Sequence, residues 1–333
     1  MGQEIYDLII LGGGCAGLTA GIYAGRAGLR TLILENGVLG GQAATSGNIE
    51  NYPGVPNTAG PELMERMLMQ ARSCGAGFQT CRVRSVALQG ERKRVETGAG
   101  VCEARAVILA TGASPRKAGF DGEEEFRGRG VGYCAACDAA FFRGKDIFVI
   151  GGGNSAAEEA LYLARFGKKV TMLVRKDALR CEKALEEKVR RHPGIKVQFH
   201  TELLRAWGDG VLKGAELKDN RTGETTKYTV PEQDGTFGIF VFVGYQPASD
   251  LFQGQVELDE AGYIRTNENM ETSLPGVYAA GDVRHKELRQ LVTAASDGAI
   301  AATRAGDYIL RQKESGGTAL TPPRVILESD KKL

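Results

Sequence analysis

Several residue types are scarce in this chain of 333 residues, and their scarcity excludes some classes of protein. There is one tryptophan, and the only histidines are His192, His200 and His285. The single C-x-x-C has no second C-x-x-C and no H-x-x-x-H to complete a four-ligand zinc site, so no metal is predicted. Seven cysteines spread over a long chain do not form the dense framework of small secreted proteins. We therefore expect a reduced, cytoplasmic protein.

Long apolar runs and an excess of one charge are also missing. No apolar stretch is long enough to cross a bilayer, and no basic leader precedes an apolar segment at the N-terminus. Lys and Arg number 42 against 41 for Asp and Glu, a formal net charge of +1. Neither a membrane nor a nucleic acid is therefore expected as a partner. The length exceeds that of most single cores, so two domains are expected.

Glycine is abundant by contrast, with 46 residues, and many of them follow apolar runs. The first such unit contains, in order, strand 8–11, Gly12, Gly14 and Gly17 in G-x-G-x-x-G spacing, helix 16–27, strand 31–34 and Glu35. The three glycines allow a tight turn, close approach to a pyrophosphate, and close packing of helix on strand. The helix N-terminus attracts phosphate, and the terminal acid accepts hydrogen bonds from ribose hydroxyls. This unit predicts an FAD site.

The same pattern returns later in the chain. Its members are strand 146–150, Gly151, Gly153 and Ala156 in G-x-G-x-x-A spacing, helix 156–166, strand 169–174, and the cations Arg175, Lys176 and Arg180. Cations at this place suit a 2′-phosphate, which an acid would repel, so the second unit predicts NADPH. The alternative for these cations is an ordinary solvated loop. Two dinucleotides in one chain are what hydride transfer from a nicotinamide to a flavin requires.

Two further glycine turns end apolar strands. One is Ala110-Thr111-Gly112, and the other is Ala280-Gly281-Asp282, which adds a carboxylate. Asp282 is expected to hold a ribityl hydroxyl or to lie near the flavin phosphate. Its alternative is a plain turn or a helix cap.

The redox chemistry is predicted for Cys134-Ala135-Ala136-Cys137-Asp138. Three-residue spacing lets the two sulfurs meet across the first turn of a helix, where C-x-x-C motifs commonly lower a cysteine pKa. Asp138 adjoins the pair and could carry the proton that thiol–disulfide exchange requires. Buried, unreactive positions are expected for the remaining cysteines, which are Cys15, Cys74, Cys81, Cys102 and Cys181.

Taken in order, these motifs resemble those of low-molecular-weight thioredoxin reductases over about residues 5–312. The matching segments are 12–17, 40–42, 50–54, 110–112, 134–138, 151–156 and 280–282, and Arg289-Gln290 resembles the flavin-contacting pair of that family. The resemblance adds to the expected FAD contacts Ala16, Gly41, Gln42, Asn51, Arg289 and Gln290. It adds Asn154 and Ser155 to the NADPH contacts.

The resemblance implies an α/β fold of two Rossmann-like domains, with the NADPH domain inserted into the FAD domain. The FAD domain would comprise residues 1–114 and 245–312, the NADPH domain with the cysteine pair 115–244, and a flexible tail 313–333. It also implies a homodimer, rotation of the domains during turnover, and thioredoxin as the protein substrate. Cys137 would lie nearer the flavin, and Cys134 would attack the substrate.

Three departures from that family keep alternatives open. Cys15 stands where the family usually has Pro, Ala136 stands where it has Thr, and its H-R-R-x-x-x-R becomes V-R-K-x-x-x-R over residues 174–180. The alternatives are a reductase that takes electrons from ferredoxin and a dithiol oxidase that passes electrons to oxygen. A non-catalytic flavin-binding sensor and a ferredoxin–NADP reductase without disulfide chemistry would both leave Cys134 and Cys137 unexplained.

Overall fold

The structure is a computed structural model that describes residues 5–46 and 49–316. It divides into two compact units. The first comprises the chain up to Ser114 together with the chain from Gln246 onward, and the second runs from Pro115 to Tyr245. Within the described residues, no helix combines the length and the apolar character needed to cross a membrane.

The strands that the described residues form are two to ten residues long. They are β1 Ile5–Leu11, β2 Thr31–Glu35, β3 Gly77–Thr80, β4 Val83–Ala87, β5 Lys93–Thr97, β6 Gly100–Leu109, β7 Ala113–Pro115, β8 Val131–Gly132, β9 Asp146–Ile150, β10 Lys169–Val174, β11 Ile195–Phe199, β12 Thr201–Asp209, β13 Val211–Asp219, β14 Thr225–Thr229, β15 Gly238–Val241, β16 Tyr245–Pro247 and β17 Val277–Ala279. The α-helices are α1 Cys15–Arg26, α2 Gly60–Ser73, α3 Ala135–Asp138, α4 Asn154–Leu163, α5 Lys183–Arg191 and α6 Leu291–Gly316.

The sheet of the first unit has the order β3-β2-β1-β6-β5-β4, with β17 also paired to β6. The pairings β3-β2, β2-β1, β1-β6 and β6-β17 are parallel, whereas β5 and β4 continue the sheet in antiparallel pairings. Leu8 and Ile10 of β1 pack on the side of α1, α2 and α6, whereas Ile9 and Leu11 belong to the opposite core. Because side chains alternate along a strand, an uninterrupted apolar run fits a strand covered on both faces.

In the second unit a five-stranded parallel sheet has the order β11-β10-β9-β15-β8, and β12-β13-β14 form a separate antiparallel sheet. Helix α4 packs on the parallel sheet through fully buried alanines, Ala156, Ala157 and Ala160. The predicted α/β class with two Rossmann-like domains is confirmed, because each unit contains parallel strands and a glycine turn that joins one of them to a helix, β1 to α1 in the first unit and β9 to α4 in the second.

One predicted helix and the predicted tail have different bounds in the structure. Helix α4 ends at Leu163 rather than at residue 166, because the N–H groups of Arg165 and Phe166 donate to carbonyls three residues back instead of four. Helix α6 continues to Gly316, four residues into the segment expected to be a flexible tail from residue 313, and Lys313 is buried. Residues 317–333 of that expected tail lie outside the described residues.

Candidate active site

Three of the predicted glycine turns meet at one edge of the first sheet. Strands β1, β6 and β17 are parallel neighbours in which Leu11 and Ala279 both pair with Leu109, so the turns that follow them lie side by side. Gly12 has φ +116°, and a Cβ there would lie 2.2 Å from the Ala110 carbonyl oxygen. The edge at the carboxyl ends of parallel strands is where α/β sheets bind nucleotides.

The first glycine loop is held against the strand that carries Glu35. The Glu35 carboxylate accepts hydrogen bonds from the Gly13 and Gly37 N–H groups, each at 2.6 Å. A carboxylate has about four lone-pair positions, so both oxygens can accept further donors. A Cβ at Gly17 would lie 1.8 Å from the Gly12 carbonyl oxygen, so α1 can approach the loop this closely only with glycine there. Glu35 therefore keeps acceptor positions that ribose hydroxyls could use, and its contact with FAD stays a prediction.

Asp282 and Arg289 each have a buried polar atom that lacks a hydrogen-bond partner among the described residues. These atoms are Asp282 Oδ1 and Arg289 Nε. Burial raises the pKa of Asp282, Asp297 adds to the rise, and Lys286 and Arg289 oppose it. Buried polar atoms are normally hydrogen-bonded, so these two fit a bound group that offers both a hydroxyl donor and an acceptor. The ribityl and phosphate portions of a flavin dinucleotide have that character.

The other residues predicted to contact FAD also lie in the first unit. Gly14 is the N-cap of α1, Gly41 and Gln42 begin a short 3-10 helix, and the Gly40 N–H donates to the Gly13 carbonyl at 2.9 Å. Asn51 Nδ2 donates to Gln290 Oε1 at 3.1 Å, and Thr111 Oγ1 donates to the Ala248 carbonyl at 2.6 Å. A Cβ at Gly281 would lie 2.9 Å from the Cβ of Ala16. Gly112 has φ +75°, and a Cβ at this residue would have no atom within 4 Å beyond its chain neighbours.

Cys15 is buried within this first site. Its thiol donates to the Leu291 carbonyl at 3.3 Å, and burial raises its pKa to about 12. A thiol with so high a pKa carries almost no thiolate at neutral pH and is inert, as predicted. The expectation of burial is wrong for the other free cysteines, which are half-buried because they lie at the margins of the cores: Cys74, Cys81, Cys102 and Cys181.

The second glycine loop forms one wall of a cavity of about 390 Å³ in the second unit. The rest of the wall comes from the ends of β9 and β10, the loop after β10, and residues 242–244. All residues predicted to contact NADPH line this cavity: Gly151, Gly153, Asn154, Ser155, Arg175, Lys176 and Arg180. The glycine loop and the loop that carries the cations are separated in sequence by α4 and β10, and both line this one concave site.

Three cations at the cavity are exposed, namely Arg175, Lys176 and Arg180. Arg175 Nε is 4.0 Å from Glu202 Oε1, which is a weak surface ion pair. The backbone of the cation loop is fixed more firmly, since the Arg180 N–H donates to the Gly152 carbonyl at 2.6 Å. The cations are therefore held beside the glycine loop with their side chains exposed to solvent.

Cys134 and Cys137 form a disulfide, with their Cα atoms 5.3 Å apart. Cys134 is the N-cap of the one-turn helix α3, and its carbonyl accepts the Asp138 N–H at 3.2 Å. Cys137 is exposed, whereas Cys134 is half-buried. Asp138 lies on the same turn, and burial raises its pKa to about 6. The site therefore combines a reducible bond with a carboxyl group that titrates near neutral pH.

Sequence reasoning missed the residues behind the disulfide. Glu123 is 3% exposed, and its carboxylate accepts from the Tyr133 hydroxyl at 2.6 Å and from the N–H groups of Ala118 and Gly119 at 2.9 and 2.7 Å. The Tyr245 hydroxyl donates to the Tyr133 carbonyl at 3.1 Å. In the sequence Glu123 opens a run of three glutamates, which is typical of a solvated surface. Across the described chain, no cluster of His, Cys, Asp or Glu could hold a metal ion.

Comparison with known proteins identifies the class to which this site belongs. The profile of the pyridine nucleotide-disulphide oxidoreductases matches residues 6–298, so the chain belongs to this family, whose chemistry uses a flavin and a pyridine nucleotide. It is 48% identical over 308 residues to a thioredoxin reductase of Peptoclostridium acidaminophilum, which covers 92% of this chain and 98% of the relative. Within the class, the chain is a flavin-dependent oxidoreductase of the thioredoxin reductase family.

A second relative and a solved structure agree. The thioredoxin reductase of Bacillus subtilis is 41% identical over 314 residues, which cover 94% of this chain and 98% of the relative. The crystal structure of thioredoxin reductase from Streptococcus pyogenes MGAS5005 superposes with a TM-score of 0.86 at 38% identity, covering 92% of this chain and 99% of that chain. The likeness therefore spans both units.

Proposed function

We propose that this protein reduces thioredoxin with electrons from NADPH, passed through FAD and the Cys134–Cys137 disulfide. The observation that carries the proposal is the disulfide on the same unit as a cavity lined by a glycine loop and three exposed cations. The first unit supports the flavin, because Asp282 and Arg289 present buried polar atoms that need partners. The ferredoxin-linked and oxygen-linked alternatives have no such specific support in this chain.

The two bound groups would divide the redox chemistry between them. Bound NADPH supplies a hydride and bound FAD accepts two electrons, as in other enzymes that use both. Glu35, Asp282, Arg289 and the turns at Gly12 and Gly112 would hold FAD. The loop from Gly151 to Ser155 would hold the pyrophosphate of NADPH, and Arg175, Lys176 and Arg180 would hold its 2′-phosphate.

Reduction of the disulfide needs two electrons and two protons. The Cys134–Cys137 bond breaks, each sulfur keeps an electron pair, and the pair becomes a dithiol once both sulfurs are protonated. Asp138 follows Cys137 directly and, with a pKa of about 6, can release and regain a proton near neutral pH. Its proposed role is to protonate a leaving thiolate and to accept that proton again in the reverse direction.

The dithiol would then reduce the substrate by two exchanges. In the first, the Cys134 thiolate attacks a disulfide sulfur of thioredoxin, forming a mixed disulfide and releasing one substrate thiolate. In the second, the Cys137 thiolate attacks the Cys134 sulfur, which re-forms the Cys134–Cys137 bond and releases the second substrate thiolate. The order of attack rests on the family resemblance.

A steady-state assay tests the proposal. The purified, flavin-loaded protein should reduce an insulin-coupled thioredoxin with NADPH, and it should carry about one FAD per chain because the first unit contains one complete dinucleotide motif. Release of FMN on denaturation would contradict the FAD assignment. Turnover only with reduced ferredoxin, or rapid oxygen consumption with a small dithiol, would replace the proposal by one of the alternatives.

We also infer that the protein is a cytoplasmic homodimer. The dimer rests on the family resemblance, and the compartment rests on the five cysteines that are free rather than paired. Light scattering on the flavin-loaded protein should give the mass of two chains. A monomeric mass at micromolar concentration would contradict the dimer.

A further inference from the structure

Tyr133, the residue immediately before Cys134, is held at its hydroxyl and at its backbone carbonyl. Its hydroxyl donates to Glu123 Oε1 at 2.6 Å, and its carbonyl accepts from the Tyr245 hydroxyl at 3.1 Å. The guanidinium of Arg127 lies over its ring, 5.1 Å from the ring centre. Burial, together with the hydrogen bond to Glu123, raises the pKa of the Tyr133 hydroxyl, so it remains a donor at neutral pH. The backbone that enters the redox helix is thus anchored from two directions.

Glu123 is well suited to be the fixed point of this arrangement. It is almost fully buried and accepts from three donors, two of which are backbone N–H groups of its own turn. Hydrogen bonds to a charged acceptor are about twice as strong as neutral ones, and a buried carboxylate is stable only with such partners. The carboxylate therefore remains in place, and the Tyr133 hydroxyl is drawn to it.

We propose that Glu123 and Tyr133 are a positioning pair that sets the dithiol–disulfide equilibrium of Cys134 and Cys137. When the disulfide is closed, the covalent bond itself fixes the two sulfurs. When it is open, the helix turn and the contacts of Tyr133 help to keep Cys134 near Cys137. An anchored Tyr133 leaves the open dithiol with less conformational freedom, so less freedom is lost when the disulfide forms. This favours the disulfide and makes the dithiol a stronger reductant.

The second unit contains a matched control. Tyr228 also donates its hydroxyl to a carboxylate, Asp146 Oδ2, at 2.9 Å, and burial with this hydrogen bond raises its pKa in the same way. Tyr228 packs against Phe148 and Phe237, in the core that also includes part of the β12-β13-β14 sheet. Removing either hydroxyl breaks one tyrosine–carboxylate hydrogen bond and keeps the ring. Only the loss at Tyr133 should reach the cysteines.

The test compares Tyr133→Phe and Tyr228→Phe in the flavin-loaded enzyme. Each variant is equilibrated anaerobically in mixtures of reduced and oxidised dithiothreitol. When the Cys134–Cys137 disulfide forms, the cysteine pair gives two electrons and two protons to the oxidised dithiothreitol. Acid quenching, alkylation and mass spectrometry of the peptide that holds both cysteines then give the dithiol fraction. Thermal unfolding of both variants measures any general loss of stability.

Tyr133→Phe should shift the equilibrium about tenfold toward the dithiol, which corresponds to a midpoint potential about 30 mV less negative. Tyr228→Phe should leave the equilibrium within about twofold of the unmodified enzyme while losing a similar amount of thermal stability. An unchanged equilibrium in Tyr133→Phe, or equal shifts in the two variants, would overturn the positioning role.

This inference rests on the proposed redox role of the cysteine pair, and the two can fail separately. If Cys134→Ser and Cys137→Ser retain disulfide reductase activity, the proposed function fails. If both lose it while Tyr133→Phe behaves like Tyr228→Phe, the proposed function stands and only the positioning role is wrong.

Discussion

Lys313 Nζ lies 2.7 Å from Asp7 Oδ1, so the last turn of α6 is tied to the beginning of β1 by an ion pair whose side chains are only 7% and 11% exposed. Asp7 also accepts the Arg30 N–H at 3.0 Å, and Arg105 lies 3.9 Å away. Removing one partner of a buried ion pair typically costs about 3–5 kcal/mol, and here Arg105 would still compensate part of the charge left on Asp7.

Lys313→Ala should therefore lower the free energy of unfolding of the first unit by about 3 kcal/mol, as measured by urea denaturation followed by flavin fluorescence. The control is Arg66→Ala in the same unit, which removes an exposed pair with Glu62 at 2.5 Å. That change should cost less than about 1 kcal/mol. Similar small losses in both variants would show that the end of α6 contributes little to stability.

Cys134→Ser and Cys137→Ser should each abolish disulfide reduction and leave the flavin content almost unchanged. Each substitution removes one sulfur of the bond, whereas the residues proposed to hold the flavin lie in the other unit. Cys181→Ser, which changes a half-buried free cysteine, is the control and should keep full activity. Substantial thioredoxin reduction by either of the first two variants would remove the pair from the mechanism.

Asp138→Asn should slow disulfide reduction by about tenfold or more without abolishing it, because general acid catalysis typically contributes roughly 10²–10⁴ in rate. Burial raises the pKa of Asp138 to about 6, so its protonated fraction falls as the pH rises through that value. The rate of disulfide opening should decline over the same range in the unmodified enzyme and not in the variant. Rapid-mixing measurements across that range test this, and identical pH profiles would contradict it.

The stability of the same variant separates a chemical role from a structural one. Because the folded-state pKa is raised from 3.8 to about 6, the contribution of Asp138 to stability is present at low pH and is lost as the pH rises through about 6. At neutral pH the Asp138→Asn variant, whose side chain is uncharged, should therefore unfold no earlier than the unmodified enzyme while reacting more slowly. Lower stability at neutral pH would attribute the loss of rate to unfolding.

NADPH should be preferred over NADH by about ten- to a hundredfold in kcat/KM, at about 1.4 kcal/mol per tenfold. Two arginines and one lysine line the cavity beside the glycine loop, where a 2′-phosphate would meet them. The double change Arg175→Ala with Arg180→Ala should remove the preference by raising KM for NADPH. The control Lys188→Ala, which removes an exposed cation of α5, should leave the preference for NADPH unchanged. Equal use of both nucleotides by the unmodified enzyme would exclude the phosphate-binding role.

The parts of the molecule that were predictable are those encoded by neighbouring residues. Both glycine loops and the C-x-x-C helix follow from short spacings, and the apolar run of β1 predicted a buried strand. The residues that line the cavity were also predicted, because the glycine loop and the cations each follow a strand of the same repeat.

Contacts between distant residues were not predictable. Nothing near Glu123 in the sequence indicates that it is buried while its neighbours Glu124 and Glu125 are exposed. Its environment is set by hydrogen bonds from the Tyr133 hydroxyl and the Gly119 N–H, which depend on how the chain folds. The pairing of Lys313 with Asp7 joins residues 306 positions apart, and the sequence alone placed Lys313 in a flexible tail.

Anaerobic titration of the purified enzyme with NADPH, followed by flavin absorbance, tests the central claim most directly. The disulfide and the flavin each accept two electrons, and one NADPH supplies two. The unmodified enzyme should therefore need about two equivalents to bleach its flavin fully, and Cys137→Ser should need about one. Complete bleaching of both forms by a single equivalent of NADPH would contradict electron flow from NADPH through the flavin to Cys134–Cys137. Failure of NADPH to bleach the flavin of either form would contradict it as well.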